Sequence, residues 1–273
     1  MKIALFQMQA GIDPAQNAAS LVDAIQAAKR GGAALLFTPE MSGLLDRDRA
    51  RAAPHILPEA GHPVLSAVQT AARAAGIWVH LGSLALAGPE RNLNRSFLIA
   101  PDGHIMARYD KLHLFDVDLP TGESWRESAA YQAGANSVVA PTPIGQLGLS
   151  ICYDVRFPSL YQALSAAGAD VLTVPAAFTV PTGIAHWHVL LRARAIENAC
   201  WVVAAAQCGI HEDGRETYGH SLVIDPWGRV VLDMEKQLGL GFADIDPSIL
   251  PDVRARIPVL AHRRAIPIVS VLS

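Results

Sequence analysis

The chain has 273 residues, a formal net charge of -3, 51% hydrophobic residues and 17% charged ones. These numbers exclude a disordered chain, and the near-neutral balance gives no electrostatic case for a nucleic-acid partner. No apolar run approaches the ~18 residues of a membrane span, and Cys152, Cys200 and Cys208 form no CxxC pair, so a soluble, cytosolic protein with free thiols is expected.

Residues 2–8 are predicted as a first strand, too short and too poorly flanked for a secretory h-region. A helix follows over 17–30, ended by Gly31-Gly32, and a second strand over 34–37 runs straight into Thr38-Pro39-Glu40. A helix is expected over 63–75, stopped by Gly76, then a strand over 77–86. Residues 96–100 and 105–109 should pair across the turn Pro101-Asp102-Gly103. Strands are expected over 137–140 and 145–152, a helix over 159–167 and a strand over 170–175. A long helix over 185–199 precedes a strand over 201–207, a hairpin of 220–225 with 229–232, and a last strand over 241–245. No linker or repeat divides the chain, so one α/β domain with both sheet faces covered is expected. The tail from 260 has no evident partner, and its apolar part, 265–273, suggests an interface between copies of the chain.

Three chemically distinct residues stand at the ends of predicted strands: Glu40, Lys111 and Cys152. Ligands gather at strand ends in α/β proteins. Brought together, a carboxylate, an ammonium and a thiol make an acyl-transfer set. The carboxylate takes the thiol proton, the thiolate attacks a carbonyl, and the ammonium stabilises the oxyanion. Taken singly, each has a plainer reading: a buried cysteine as a small hydrophobe, a lysine or glutamate past a strand as a solvated loop residue. Cys200 and Cys208 keep that plainer reading. His113 and His220 allow a Cys–His hydrolase, which ranks below the first set because no Asn or Asp stands in a supporting sequence context.

Thr38-Pro39-Glu40, Tyr109-Asp-Lys111-Leu-His113-Leu-Phe-Asp116 and Gly148-Leu-Ser-Ile-Cys152-Tyr-Asp-Val-Arg156-Phe-Pro158 resemble, in order, the three motifs of the nitrilase or carbon–nitrogen hydrolase superfamily. The resemblance covers nearly the whole chain. It implies a Glu40–Lys111–Cys152 triad on a four-layer αββα sandwich of two mixed sheets, a homodimer or higher oligomer, and no metal or organic cofactor. The stretch Trp125-Arg126-Glu127-Ser128 resembles the family segment whose glutamate supports the lysine; this favours Glu127 over Glu123 as a fourth acid. Pro175-Ala-Ala-Phe178, Thr182-Gly183, Ala204-Ala-Ala-Gln207-Cys208-Gly209 and Tyr218-Gly-His220-Ser221 are most similar to the Nit branch. That branch implies an amidase acting on a 2-oxo acid amide, deaminated glutathione before α-ketoglutaramate, with N-carbamoyl amino acids as a further alternative. His188, where relatives often carry an acidic residue, departs from the pattern.

Such substrates carry a carboxylate, which calls for a cationic or hydrogen-bonding clamp. Arg156, four residues past the thiol, is the expected clamp, with Tyr153, Phe178 and Thr182 beside it in the pocket. Arg192, Arg194 and Glu197 sit at helical spacings that favour internal pairs. His186, Trp187 and His188 open their helix, where contact with substrate and packing are both open.

Overall fold

The computed structural model describes residues 1–118, 122 and 124–271. The first half builds five strands of a six-stranded sheet, whose sixth strand comes from the C-terminal part of the chain. The five are β1 (Lys2–Gln7), β2 (Leu35–Phe37), β3 (Trp78–Leu86), β4 (Leu93–Ile99) and β5 (Ile105–Asp110), interleaved with helices α1 (Pro14–Arg30), α2 (Arg49–Ala52) and α3 (Pro63–Ala75). A short hairpin follows, β6 (Asp116–Asp118) with β7 (Ser124–Arg126). The second half supplies β8 (Val139–Thr142), β9 (Gly145–Gly148), α4 (Pro158–Ala166), β10 (Val171–Thr173), α5 (Val180–Thr182), α6 (His188–Asn198) and β11 (Trp201–Ala204). It ends with a hairpin of β12 (Cys208–Ile210) and β13 (Glu216–Tyr218), then β14 (Leu222–Ile224), β15 (Val230–Asp233), β16 (Gly239–Asp244) and α7 (Leu250–Arg256).

The sheets have the orders β16-β1-β2-β3-β4-β5 and β15-β14-β11-β10-β9-β8. In each, the central pairs are parallel (β1-β2-β3 and β9-β10-β11) and antiparallel strands close the sides. Side chains alternate across a strand, so each sheet buries two faces. Ile3, Leu5, Leu35 and Phe37 point into a core shared with Leu147, Val171 and Leu222 of the other sheet. Their neighbours Ala4 and Leu36 point the opposite way, against Leu21 and Ile25 of α1 and Val64 and Val68 of α3. Leu160 and Leu164 of α4 and Leu191 and Ala195 of α6 cover the second sheet. The result is the expected αββα sandwich.

Helix C-terminal ends follow their sequence signals, while the starts of α1 and of the long helix move toward the N-terminus. The helix predicted over 17–30 begins at Pro14, because Asp13 caps it by accepting from the Ala15 N–H at 2.8 Å. α3 runs from Pro63 to Gly76, which takes a left-handed φ of 60°. The long helix expected over 185–199 starts earlier: α5, a widened helical stretch over Gly183–Trp187 and α6 form one unbroken helical run, and Ala199 leaves it with a φ of 46°. Cys200 therefore lies just past the helix. The strand expected over 201–207 ends at Ala204, and Cys208 opens β12 rather than closing a strand.

Candidate active site

Glu40, Lys111 and Cys152 stand where three chain segments leave the sandwich core. β2 ends at Phe37, and Thr38 still donates its N–H to His80 O at 3.0 Å before the chain turns. Gln207 Nε2 holds the Glu40 carbonyl at 2.9 Å, fixing the backbone of the turn. Lys111 follows β5 and stays paired, its N–H donating to Asn94 O at 3.0 Å. Cys152 continues the line of β9 and donates its N–H to Pro175 O at 2.9 Å. There the chain breaks into a tight turn over Cys152–Arg156, with Cys152 at a φ of 47°. A non-glycine residue in that region is strained and persists only where its surroundings over-determine it. Asp154 supplies that constraint. One of its oxygens accepts from Ile151 N at 2.8 Å and Tyr109 OH at 2.7 Å, the other from His113 N at 3.0 Å.

The side chains converge. Lys111 Nζ donates to Glu40 Oε1 at 2.8 Å and to both oxygens of Glu127 at 3.1 and 2.9 Å. Asn94 Nδ2 bridges the same two acids, at 2.9 Å to Glu40 and 3.2 Å to Glu127. Ala177 N donates to Glu40 Oε2 at 3.0 Å, and Phe115 N donates to Glu127 Oε2 at 2.7 Å. Every carboxylate oxygen of the pair thus has a donor, as buried charges require. Glu123 lies outside the described residues.

Protonation follows from this packing. Burial pushes the Glu40 pKa up, but the neighbouring Lys111 ammonium and the donated hydrogen bonds outweigh it and hold the carboxyl below its usual value. Burial works against the Lys111 charge, yet the Glu127 and Glu40 carboxylates win and keep its pKa well above normal. Burial and the adjacent Glu40 charge push the Cys152 thiol well up, against the pull of Lys111. The resting set is therefore a thiol beside a carboxylate and an ammonium. A protonated thiol thus stands beside an ionised carboxylate.

A cavity of about 970 Å³ opens over these groups, lined by Glu40, Lys111, Glu127 and Cys152 and, farther along, by Tyr153, Phe178 and Thr182. Arg156 does not join the lining. Its guanidinium lies 5.4 Å from the Phe178 ring centroid and 5.9 Å from that of Tyr153, and 3.2 Å from His186 Nδ1. Arg194 pairs with Glu197 at 2.6 Å as expected, whereas Arg192 donates to Gly228 O instead. Trp187 is buried, donating to His220 O and packing on Phe178 with centroids 4.7 Å apart. The cavity also takes in residues to which the sequence pattern assigned no role, among them Trp125, Tyr131 and Arg215.

The histidines have acidic partners that were not visible locally, because those partners lie far away in the chain. His113 Nδ1 sits 2.7 Å from Asp154 Oδ1 while its ring stacks on Phe157 at 3.6 Å. His220 and His188 both contact Asp233, at 2.9 and 3.0 Å. His188, His220 and Asp233 bring ligand atoms within 4.8 Å of one another, a grouping able to hold a metal ion. None of these three, nor His113, lines the cavity. Cys200 and Cys208 are buried away from it, and burial pushes the Cys200 thiol up to about 11.

Comparison with known proteins gives a consistent picture. The profile of the carbon-nitrogen hydrolase family matches residues 2–255. A deaminated glutathione amidase of Yersinia enterocolitica is 40% identical over 266 residues, covering 96% of this chain and 92% of that protein. The crystal structure of the C. elegans NitFhit protein superposes with a TM-score of 0.89 at 39% identity, covering 96% of this chain and 65% of that one. An amidase variant from Nesterenkonia sp. AN1, in which acrylamide has undergone Michael addition at the active-site cysteine, matches with a TM-score of 0.79 at 31% identity, covering 94% of this chain and 98% of that one. The chain belongs to the carbon-nitrogen hydrolase family.

Proposed function

We propose that this carbon–nitrogen hydrolase is an amidase that cleaves a 2-oxo acid amide, deaminated glutathione in particular, through a thioester on Cys152. One observation carries the reading: Glu40, Lys111 and Glu127 form a closed, hydrogen-bonded charge cluster beside the strained Cys152, at the wall of a ligand-sized cavity. The deaminated glutathione amidase that matches nearly the full chain supports the choice of substrate.

Glu40 accepts the thiol proton as sulfur bonds to the amide carbon. The carbonyl oxygen becomes an oxyanion, stabilised by the Lys111 ammonium. Glu40 then returns the proton to the amide nitrogen, the carbon–nitrogen bond breaks and the amine leaves. Water attacks the thioester as Glu40 takes its proton. The second tetrahedral intermediate collapses to the acid, and Cys152 leaves as a thiolate and is reprotonated. Glu127 positions Lys111, and Asn94 couples the two acids. Tyr153, Phe178 and Thr182 shape the pocket, with Arg156 acting through the aromatic rings it touches. In this reading the protein works in the cytosol as a homo-oligomer without a cofactor. Among the described residues no helix is long and apolar enough to cross a membrane.

The test compares turnover of deaminated glutathione, α-ketoglutaramate and an N-carbamoyl amino acid. Deaminated glutathione is expected to give the highest kcat/KM, and a preference for either of the others would reassign the substrate. Cys152→Ala is expected to abolish turnover with an unchanged circular-dichroism spectrum; residual wild-type rates would sink the thioester mechanism.

A further inference from the structure

We propose that Arg215 and Trp125 together form the subsite that holds a carboxylate of the substrate, an inference that rests on the amidase reading above. Both residues line the cavity that holds Cys152. The Arg215 guanidinium carbon lies 4.8 Å from the centroid of the Trp125 ring, so the two side chains are stacked neighbours. Arg215 Nε and Trp125 Nε1 are both buried, and neither has a hydrogen-bond acceptor among the described residues. A buried N–H without an acceptor is costly, and two side by side in a cavity wall are uncommon. Nitrogens of both kinds only donate, so what satisfies them must be an acceptor.

Charge narrows the choice to an anion. Among the described residues the ionic partner of Arg215 is Asp213, reached through one nitrogen at 3.3 Å, which leaves the guanidinium edge at Nε uncommitted. Asp213 is itself engaged, accepting from Arg47 N and Arg215 N at 2.9 Å each. Four other arginines line the cavity: Arg51 and Arg126 are spent on the carboxylates of Asp46 and Asp118, each through two contacts, Arg49 donates to Arg126 O, and Arg47 is an exposed side chain, so the buried, unpaired Nε sets Arg215 apart. The catalytic cluster, with two acids to one lysine, repels an anionic substrate group. A cation elsewhere in the same cavity therefore decides where that group lies. A carboxylate has two oxygens, one for each orphaned donor, and neutralises the guanidinium; a neutral carbonyl does neither in full.

The experiment uses three amides of matched acyl length: pentanamide, glutaramate with a carboxylate on the acyl side, and N-pentanoylglycine with one on the amine side. In the wild type, at least one charged amide is expected to show a lower KM than pentanamide. Arg215→Ala is expected to raise that KM about 10- to 100-fold more than the pentanamide KM, with kcat ratios kept. Trp125→Phe, which keeps the ring under the guanidinium but removes the N–H, is expected to give a smaller shift, about 3- to 10-fold. Pentanamide turnover reports whether each variant is folded; if Arg215→Ala lacks it, Arg215→Lys is read in its place, with an intermediate shift expected. Equal shifts on charged and neutral amides, or no preference for either charged amide in the wild type, would overturn this subsite and leave the amidase reading standing. No turnover of any amide, deaminated glutathione included, would overturn both.

Discussion

Glu40 is ionised before substrate arrives, and that sets the pH dependence. Its carboxyl is held below the usual carboxylate pKa of ~4.3, because the Lys111 ammonium outweighs the opposing effect of burial. Lys111, held well above its usual ~10.4, keeps its proton far into the alkaline range. Cys152, pushed up by burial and the Glu40 charge, contributes no thiolate limb near ~8.5. A depressed carboxylate is lost as a base only when pH falls through its own low pKa. The expected kcat/KM profile is therefore flat between about pH 5 and 9. An acid limb well above the carboxylate range would sink the role given to Glu40. Glu40→Gln should lower kcat/KM by about 100-fold or more at every pH in that window. Glu40 and Cys152 were legible in the sequence as chemical residues closing segments that begin as buried apolar runs, and Lys111 as the residue after the alternating edge strand β5. Asn94 was not: it lies inside β4, and its link between Glu40 and Glu127 exists only because β4 pairs beside β5.

Among the secondary-structure elements, β3 does more than fill the sheet. Its register against β4 shifts between Leu81 and Leu84, a bulge that contains Gly82. A Cβ on Gly82 would lie 2.1 Å from Thr38 O, 2.4 Å from Pro39 O and 2.6 Å from the Pro175 Cβ. The first two belong to the turn that carries Glu40. The third belongs to the segment that receives the Cys152 N–H and presents Ala177 N to Glu40. The bare backbone of β3 thus packs at once against the Glu40 turn and against Pro175, whose carbonyl receives the Cys152 N–H. Gly82→Ala is expected to destabilise the fold by about 1–3 kcal/mol and to lower kcat/KM about 10- to 100-fold, since displacements near 1 Å at a reacting group are that costly. Denaturant unfolding together with kinetics checks both; a variant with wild-type kcat/KM would show that β3 does not position Glu40. The long alternating strands and Pro-to-Gly helices were predictable for the same reason that they are rigid: local propensity and burial agree. The hairpins β6–β7 and β12–β13 were not. Asp-Val-Asp with Ser-Trp-Arg offers only one apolar residue per strand, Val117 opposite Trp125, too little to read as a period, and backbone pairing and the Asp118–Arg126 ion pair accompany it. These hairpins bring Trp125 and Arg215 to the cavity, so periodicity did not reach the part of the wall proposed above to hold the substrate carboxylate.

Across the chain as a unit, the sandwich covers both faces of its sheets, yet among the described residues apolar side chains stand bare on the tail and on α6. Ile266, Ile268, Val269 and Val271 of the tail are 85%, 97%, 78% and 90% exposed. On α6, Val189 and Ile196 stand seven residues apart on one helix face, 68% and 50% exposed. Monomeric proteins seldom leave such groups open together, which is the ground for the homo-oligomer proposed above. Burying a tail side chain gains about 1.5–3 kcal/mol, against about 1–2 kcal/mol for each residue ordered. The two nearly cancel along the tail, so it reinforces an assembly that needs another surface, such as the α6 face, for its main adhesion. Removing residues 265–273 is therefore expected to weaken association without unfolding the sandwich, whose core uses none of the described side chains among them. Sedimentation across a concentration series should show the full chain at a multiple of its 29.1 kDa mass and the shortened chain dissociating at higher concentration. A full chain that sediments at 29.1 kDa throughout would refute self-association. An assembly indifferent to the truncation would take the tail out of the interface and leave α6 to carry it.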